Sequence, residues 1–379
     1  MHQSLKQSRA LSAEEKLDWL RLSRTENVGP ITFYRLVERY GSVGEALAAL
    51  PELSKRGGRK KPLKAPDPSF VEKEYESLRN LGGEIVTAAC ENYPLALGAT
   101  DDAPPVLSYF GDIKLANKNV IAIVGARNAS LNGRKFAERL AGELGAQEQT
   151  VVSGLARGID TAAHKGSLNS GTIAVVAGGI DVVYPQENTA LFEEIKERGL
   201  VIAESPLGVS PVARHFPKRN RIVSGLSRAC VVVEATMRSG SLITARMAGE
   251  QGRDVMALPG HPLDPRAQGP NHLIREGATL IRNADDILEI IRDFSGTALR
   301  EPLKPVQSFT AAPANDEDVP QNAQETVLEN LSFTAIALDE LIRSCHLTIP
   351  VLQTVLLELE LAGRIKREAG GRVALLQND

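Results

Sequence analysis

The sequence has few cysteines and no long hydrophobic run. Its three cysteines, Cys90, Cys230 and Cys345, lie far apart and belong to no CxxC or Cys/His cluster. This usage is typical of a reducing compartment and offers no ligand spacing for a metal. No apolar stretch approaches the roughly 18 residues that a membrane-spanning helix needs. Because the first ten residues are polar and lack the apolar core of a signal peptide, we expect a cytoplasmic protein.

A strong excess of either charge is also absent. The formal net charge is −3 over 379 residues, with 24% charged and 42% hydrophobic residues, as in ordinary globular proteins. Overall electrostatics therefore do not indicate a nucleic-acid binder, and any surface for a polyanion must be local. A chain of this length usually forms more than one hydrophobic core, so we expect two or three domains.

The N-terminal 60 residues read as a small helical domain. Three segments have apolar residues at helical spacing, namely residues 13–23, 31–40 and 43–50. Asn27-Val28-Gly29-Pro30 separates the first two with turn residues, so the pattern resembles a helix-hairpin-helix, or SAM-like, bundle. The basic sequence KRGGRKKPLK follows at residues 55–64, and we interpret it as a solvated linker, with DNA contact as the alternative.

Residues 61–295 alternate between β-branched apolar runs and helical segments. Seven runs, apolar on both faces, begin near Asn119, Thr150, Thr172, Leu200, Cys230, Asp254 and Ala278. Such runs indicate strands of a mostly parallel sheet that is covered by helices on both sides. The alternation predicts an α/β fold, a Rossmann-like doubly wound sheet, with intervening helices at residues 133–144, 159–168, 189–198 and 242–251.

The C-terminal part divides into a linker and a small domain. Residues 296–321 are rich in Pro, Ala and polar residues without periodicity, which predicts a linker. Residues 322–379 contain three short helical patterns and then two alternating strands around Gly370-Gly371, the order of a winged helix. The presumptive recognition helix, residues 350–361, is almost wholly apolar, although a helix that reads the major groove needs Arg, Asn or Gln.

Small residues follow several of the predicted strands. Gly125 to Ser130, Ser153 to Asp160, Gly178-Gly179 and Ser239 to Thr244 stand where ligands bind in doubly wound sheets. Small residues let backbone amides approach an anion, and Arg127 adds a guanidinium that matches phosphate oxygens. We therefore expect a polyanionic ligand at this edge of the sheet.

The usual nucleotide and catalytic motifs are missing from these loops. Arg127 stands where GxGxxG would require a glycine, and the sequence contains neither a P-loop nor a GxSxG elbow. His164 follows Asp160 by one helical turn; we interpret this as a surface pair, with a general base as the alternative. We therefore expect no catalytic residue, no cofactor and no metal site.

The segment Arg214-His-Phe-Pro-Lys-Arg-Asn-Arg221 concentrates positive charge. No acidic residue occurs from Ser205 to Val233, so we interpret the segment as a basic loop. Its cations would follow the phosphates of a single strand, while Phe216 either stacks on a base or packs in the core.

At this point the motifs become specific to a family. IVGARNAS, VVSGLARGIDTAAHKGSL, AVVAGGIDVVYP, HFPKRNRIVSGLS, VVVEATMRSGSLITARMAGEQGRDVMALPG and NHLIREGATLI together resemble the DNA-processing protein A (DprA/Smf) family. The resemblance implies a non-enzymatic protein of natural transformation that binds and protects single-stranded DNA and loads the RecA recombinase onto it. The DNA-binding residues would be Arg127, Ser153, Gly154, Phe216, Lys218, Arg219, Asn220, Arg221, Ser239 and Gly240.

The resemblance also implies a homodimer that forms through the last part of the sheet domain. In this sequence that part is Asn271 to Leu280, whose apolar Leu273, Ile274 and Leu280 suit either an interface or the core. A surface that contacts RecA is expected to overlap this region.

Two other functions remain as alternatives. Phosphoribohydrolases of the lysine-decarboxylase-like family have a related sheet, but Thr244 stands where their PGGxGTxxE motif places a catalytic Glu. A duplex-binding regulator would instead use the winged helix, where the wing residues Arg364, Lys366, Arg367 and Arg372 are basic but the recognition helix is apolar.

Overall fold

The computed structural model describes residues 11–296, 319–320, 322–368 and 371–376. These residues form two compact units: one contains residues 72–296, and the other combines residues 13–71 with the described residues after 318. Most of the linker predicted at 296–321 lies outside the described residues. No helix in the described part of the chain is long and apolar enough to cross a membrane.

A nine-stranded sheet forms the centre of the first unit, in the order β1-β2-β6-β5-β4-β3-β7-β8-β9. Its strands are β1 (Glu84–Thr87), β2 (Val106–Gly111), β3 (Val120–Val124), β4 (Thr150–Ser153), β5 (Thr172–Val175), β6 (Leu200–Ala203), β7 (Ala229–Val232), β8 (Asp254–Ala257) and β9 (Thr279–Leu280). β2 runs antiparallel to both β1 and β6, whereas the strands from β6 to β9 pair in parallel. The seven strands predicted from the sequence are therefore confirmed.

Helices cover both faces of this sheet. They are α4 (Pro68–Asn80), α5 (Leu95–Gly98), α6 (Leu131–Ala146), α7 (Ile159–Ser167), α8 (Thr189–Arg198), α9 (His215–Leu226), α10 (Gly240–Glu250), α11 (Gln268–Arg275) and α12 (Ala284–Gly296). The four predicted helices appear as α6, α7, α8 and α10.

Strand β3 shows why the sheet is apolar throughout. Ile121 and Ile123 belong to the same hydrophobic cluster as Leu140 of α6, whereas Ala122 and Val124 belong to the cluster that contains Ile222 of α9. Side chains alternate between the two faces of a strand, so a strand covered on both sides has no polar face. This confirms the doubly wound architecture.

The second unit contains two small domains from opposite ends of the sequence. The N-terminal helices are α1 (Ala13–Ser23), α2 (Pro30–Tyr40) and α3 (Val43–Arg56), followed in the C-terminal part by α13 (Ala323–Glu329), β10 (Ile336–Ala337), α14 (Leu338–Cys345), α15 (Ile349–Leu361), β11 (Ile365–Glu368) and β12 (Arg372–Leu375). The last three strands form a small sheet in the order β10-β12-β11. The predicted helical bundle and winged helix are both confirmed.

Helix α15 is buried on several sides, which explains its apolar sequence. Leu352, Val355, Leu356 and Leu359 belong to the core of the winged helix. Another side of the helix meets the N-terminal helices, where Arg39 of α2 donates a hydrogen bond to Thr354 Oγ1 at 2.8 Å. The helix that would read a DNA groove therefore packs within the protein.

A buried ionic cluster lies in the same region. Arg367 Nε of β11 lies 3.1 Å from Glu360 Oε2 of α15, and only 6% of the Arg367 side chain is exposed. Burial, followed by repulsion from Arg367, lowers the pKa of Arg35 on α2 to about 10. Arg367 is therefore not a surface cation of the wing, in contrast to the interpretation from sequence.

The basic segment 55–64 is exposed at its four lysines, while its backbone is fixed to the domain. Its Leu63 is buried and donates its backbone N–H to Ser54 Oγ at 2.7 Å. Arg59 forms an ion pair with Glu26 at 2.7 Å. Gly57 packs so closely on α15 that a Cβ there would collide with the carbonyl group of Glu358.

This contact predicts that Gly57→Ala destabilises the protein by about 2 kcal/mol, because the added methyl group has no room at the α15 backbone. Gly44→Ala, near the start of α3, is the control, since a Cβ at Gly44 has no neighbour within 4 Å. Urea unfolding of both variants gives the free energies of unfolding. Equal stabilities of the two variants would show that α3 and α15 do not pack in this way.

Candidate nucleic-acid interface

A cavity of about 230 Å³ opens among the loops that follow the parallel strands. Four of the predicted DNA-binding residues line it, namely Arg127, Gly154, Phe216 and Arg219. They come from the loops after β3 and β4 and from α9, so residues up to 92 positions apart in the sequence (219 − 127) share one cleft.

Phe216 lies between a cation and a second aromatic ring. The guanidinium carbon of Arg127 lies 4.8 Å from the centre of the Phe216 ring, within the distance of a cation–π contact. The centre of the Tyr184 ring lies 5.8 Å from the centre of the Phe216 ring, and the planes of the two rings are inclined by 60°. Tyr184 is 49% exposed, and the sequence interpretation did not include it among the site residues, although it stands in the motif AVVAGGIDVVYP. We call Phe216 and Tyr184 the aromatic pair.

The segment interpreted as a basic loop is the first part of helix α9. Pro217 is the third residue of this helix, a position that tolerates proline because N–H groups of the first turn have no helical partner. Folding into a helix separates the charges: Lys218 is exposed, whereas Arg219 is only 6% exposed. The prediction of a loop was therefore wrong, and its cations do not share one environment.

Arg219 lies beneath the cleft, where its charge interacts electrostatically with that of the buried Asp160. Its Nη1 donates a hydrogen bond to the Val175 carbonyl at 3.0 Å. Asp160 accepts the backbone N–H groups of Gly154 and Ala156 at 3.1 and 3.3 Å. Burial lowers the pKa of Arg219 to about 10, and the charge of Asp160 opposes this shift. This pair joins α9 to the ends of β4 and β5.

Gly154 is required by this packing. A Cβ on Gly154 would collide with the guanidinium group of Arg219. Ser153 is also buried, and its hydroxyl donates to the Ile123 carbonyl at 2.6 Å. Both residues thus have structural partners directly below the cleft.

His164 and Asp160 are both buried, so the interpretation as a surface pair was wrong. The Nδ1 atom of His164 lies 2.7 Å from Thr172 Oγ1. Burial, and then the charge of Arg219, lowers the pKa of His164 to about 3, so the ring is neutral. Because His164 is fully buried, does not line the cavity and has a low pKa, it is poorly suited to act as a base in the cleft.

Arg221 points to another part of the protein. Its side chain is 11% exposed and forms ion pairs with Glu204 and Asp102. Glu204 stands one residue before the acid-free interval that made the segment look uncompensated. Arg221 therefore attaches α9 to the end of β6, which corrects the view that this charge lacked a partner.

Carboxylates of the protein already occupy several backbone amides near the cleft. Glu234, after β7, accepts the N–H and hydroxyl groups of Ser130 at 2.8 and 2.6 Å, at the start of α6. Asp160 similarly takes two amides of the loop after β4. The expectation that these amides bind an external anion is thus wrong for Ser130, Gly154 and Ala156. The groups that remain available to bind an anion are the exposed cations.

The remaining predicted residues form a neighbouring group. Asn220 Nδ2 donates to the Gly240 carbonyl at 3.3 Å, and Ser239 caps α10. Gly240 is exposed, and a Cβ there would meet nothing within 4 Å. Since neither Asn220 nor Gly240 lines the cavity, the structure brings the predicted residues together as two groups, each of which includes a residue of α9.

The candidate interface residues lie at the β9 edge of the sheet. Leu280 is 45% exposed on β9, whereas Leu273 packs against the core cluster beside α10. Leu280 also lines a shallow depression of about 400 Å³ with Arg282, Glu289 and Ile290. Of the three predicted side chains, Leu280 is thus the most accessible.

Three family models match the chain in the order of its domains. A model of the DNA recombination-mediator protein A covers residues 84–292, and a DprA-like N-terminal HHH domain covers residues 13–77. A DprA winged helix domain covers residues 310–371.

Curated relatives match over large parts of the chain. Protein Smf of Escherichia coli is 38% identical over 81% of this chain and 82% of its own length. The DNA processing protein DprA of Streptococcus pneumoniae is 47% identical over 52% of this chain and 70% of its own length.

Solved structures agree with this assignment. That of DprA from Streptococcus pneumoniae covers 74% of this chain and 98% of its own, with 36% identity and a TM-score of 0.64. A structure of DNA processing protein A from Helicobacter pylori, which concerns that protein's single-stranded DNA binding mode, covers 56% of this chain and 96% of its own at 29% identity and a TM-score of 0.52. With three domain models matched in order and relatives aligned over most of their length, the chain belongs to the DprA/Smf family.

Proposed function

We propose that this protein binds and protects single-stranded DNA in the cytoplasm, without sequence preference, and loads RecA recombinase onto it during natural transformation or recombination. The observation that carries the proposal is the contact between Arg127 and Phe216 in the cleft, with Tyr184 beside them. The single-stranded DNA binding of the relative from Helicobacter pylori supports the same function.

The aromatic pair favours a single strand over a duplex. The rings of Phe216 and Tyr184 line a cavity, so only a base that is free of its own stack can reach them. Stacking of a base on an aromatic side chain contributes about 1–3 kcal/mol and accepts every base, because each has a π face. Arg127 and Lys218, both exposed, would bind the adjoining phosphates. Such contacts carry little sequence information.

The buried partners under the cleft define a different role for Arg219. Because Arg219 and Asp160 hold the ends of β4 and β5 against α9, we assign them the positioning of the cleft instead of direct contact with DNA. Phe216 precedes Arg219 by three residues and lies on the same side of the helix. The buried pair thereby sets the direction of the aromatic ring.

A phosphoribohydrolase would need a catalytic acid or base in the cleft, and none of the candidate residues that the structure describes is available there. Thr244, which replaces the catalytic Glu of that family, is 2% exposed in α10. His164 is buried and neutral, and Glu234 is engaged with Ser130. A binding protein therefore fits the described residues better than this enzyme. Turnover of a nucleoside monophosphate above background would reverse that judgement.

Arg127→Ala and Lys218→Ala are expected to weaken binding to single strands of every sequence. Each lost phosphate contact lowers the slope of log K against log salt by about 0.7. Fluorescence anisotropy at several salt concentrations measures both quantities. Arg228→Ala is the control, because Arg228 is exposed and stands at the start of β7, whereas the cleft lies at the ends of the strands. Slopes equal to that of the control would mean that neither cation contacts phosphate.

Asp160→Asn tests the positioning role. The substitution removes the carboxylate whose charge acts on the buried guanidinium of Arg219 and weakens the acceptor of two backbone N–H groups, so we expect a loss of about 1–3 kcal/mol in the free energy of unfolding. DNA binding by the folded variant should weaken without a change in the salt slope, because Asp160 contacts no phosphate. Urea unfolding and the same titrations provide the measurements. A lowered slope would contradict this role for the pair.

For the homodimer, we propose an interface at the edge of β9 that includes Leu280. Leu280→Glu places a charge at a half-exposed apolar position and should lower the dimer fraction at least tenfold, measured by sedimentation equilibrium. Leu263→Glu is the control at a position that is 84% exposed. The RecA surface proposed to overlap this edge is tested by RecA nucleation on single strands with both variants. An unchanged dimer fraction with Leu280→Glu would place the interface elsewhere.

A further inference from the structure

The second unit brings two basic elements together that lie 300 residues apart in the sequence. Segment 55–64 begins where α3 ends, and Arg364 stands at the start of the wing, just before β11. A Cβ built on Gly58 would lie 3.5 Å from Arg364 Nη1, so the backbone of the segment passes beside this guanidinium group. We call Lys55, Lys60, Lys61, Lys64 and Arg364 the junction cations.

The segment keeps its place because its backbone is bound to the domain. Arg59 donates its backbone N–H to the Ser54 carbonyl, and Ser54 in turn accepts the N–H of Leu63. Gly57 lies against the carbonyl group of Glu358 on α15, where a larger residue would not fit. The lysines of the segment therefore project from a fixed chain, in contrast to the charges of a free linker.

Most of the positive charge at this junction is not neutralised. No acidic residue occurs between Glu52 and Asp67. Two arginines of the segment have partners, since Arg56 pairs with Glu52 and Arg59 pairs with Glu26. The four lysines are exposed and form no ion pair with any residue that the structure describes. Unpaired cations on a fixed scaffold favour a polyanion, because their ordering is achieved before binding.

The burial of α15 determines how this surface would contact DNA. A winged helix normally inserts its third helix into the major groove, but α15 is covered by the N-terminal helices, contains no Arg, Asn or Lys, and has Gln353, which is half-buried, as its one amide side chain. What remains accessible is the wing and the adjoining lysines. These groups suit the phosphate backbone, which they would bind without reading bases.

We propose that the junction cations form a second DNA-contacting surface, which binds phosphates of the same DNA whose single-stranded part occupies the cleft. This inference rests on the proposed function. The surface contacts only phosphates, so it accepts a continuing single strand or an adjoining duplex.

The test uses the full-length protein with charge reversals on each side of the junction, Lys60→Glu/Lys61→Glu and Arg364→Glu. Arg343→Glu is the matched control, since Arg343 is an exposed arginine on α14, which contributes no residue to the junction. Three DNAs are titrated at several salt concentrations: a strand of about 6 nucleotides, within the range that one binding site occupies, a strand several times longer, and the short strand extended by a duplex. Thermal melting confirms that each variant is folded.

Both charge reversals are expected to weaken binding of a longer DNA at least fivefold and to lower its salt slope by about 0.7 or more per lost contact. Binding of the short strand should not change. A loss with the long strand identifies a single strand as the ligand, whereas a loss confined to the duplex-extended strand identifies a duplex. Lys60→Arg/Lys61→Arg should bind as the wild type does.

Affinities and slopes equal to those of Arg343→Glu for all three DNAs would overturn the proposal. Arg127→Ala, measured in parallel, separates the two hypotheses. If Arg127→Ala weakens binding of the short strand while the junction variants leave the binding of all three DNAs unchanged, the cleft function holds and the second surface is refuted. If the junction variants weaken longer DNA while Arg127→Ala does nothing, the assignment of the cleft fails instead.

Discussion

The cleft depends on one buried interaction, the charge pair of Arg219 and Asp160. Burial raises the pKa of Asp160 and lowers the pKa of Arg219, and the opposite charge of each residue opposes the shift of the other. Here the pair also satisfies two backbone amides after β4 and a carbonyl at the end of β5. Three neighbouring elements are therefore fixed by two side chains. The surface above them, with Phe216 and Gly154, is therefore also held rigid. A rigid surface loses less conformational entropy when a strand binds.

The charges of α9 separate into structural and accessible groups because of the helical period. Arg219 and Arg221 are two positions apart, and residues at that spacing do not face the same way on a helix. Arg219 turns toward the cleft floor, whereas Arg221 reaches Glu204 and Asp102 at the other side of the helix. Lys218, which directly precedes Arg219, remains in solvent. The basic segment thereby supplies two structural cations, Arg219 and Arg221, and two exposed ones, Arg214 and Lys218.

The sheet was predictable from the sequence, whereas the partners of the charged residues were not. Runs such as residues 120–124 reveal a strand buried on both faces through local composition alone. By contrast, the acid-free interval from Ser205 to Val233 suggested unpaired charge, although Glu204, the residue just before it, pairs with Arg221. Long-range pairs such as Ser130 with Glu234, which are 104 residues apart, leave no local signal. Pro217 hid the start of α9, because proline marks both loops and first helical turns.

The apolar sequence of α15 has a similar explanation with a wider consequence. Taken alone, the apolar sequence indicated only that the helix does not read a DNA groove. The structure adds that α3 and α2 cover it, with Arg35, Glu360 and Arg367 buried together where the domains meet. Burying such charges is costly unless the pairing geometry is maintained, so the two terminal domains depend on each other for their structure. Since α15 is enclosed, the proposed preference for single strands rests on stacking in the cleft and on phosphate contacts, which carry little information on base sequence.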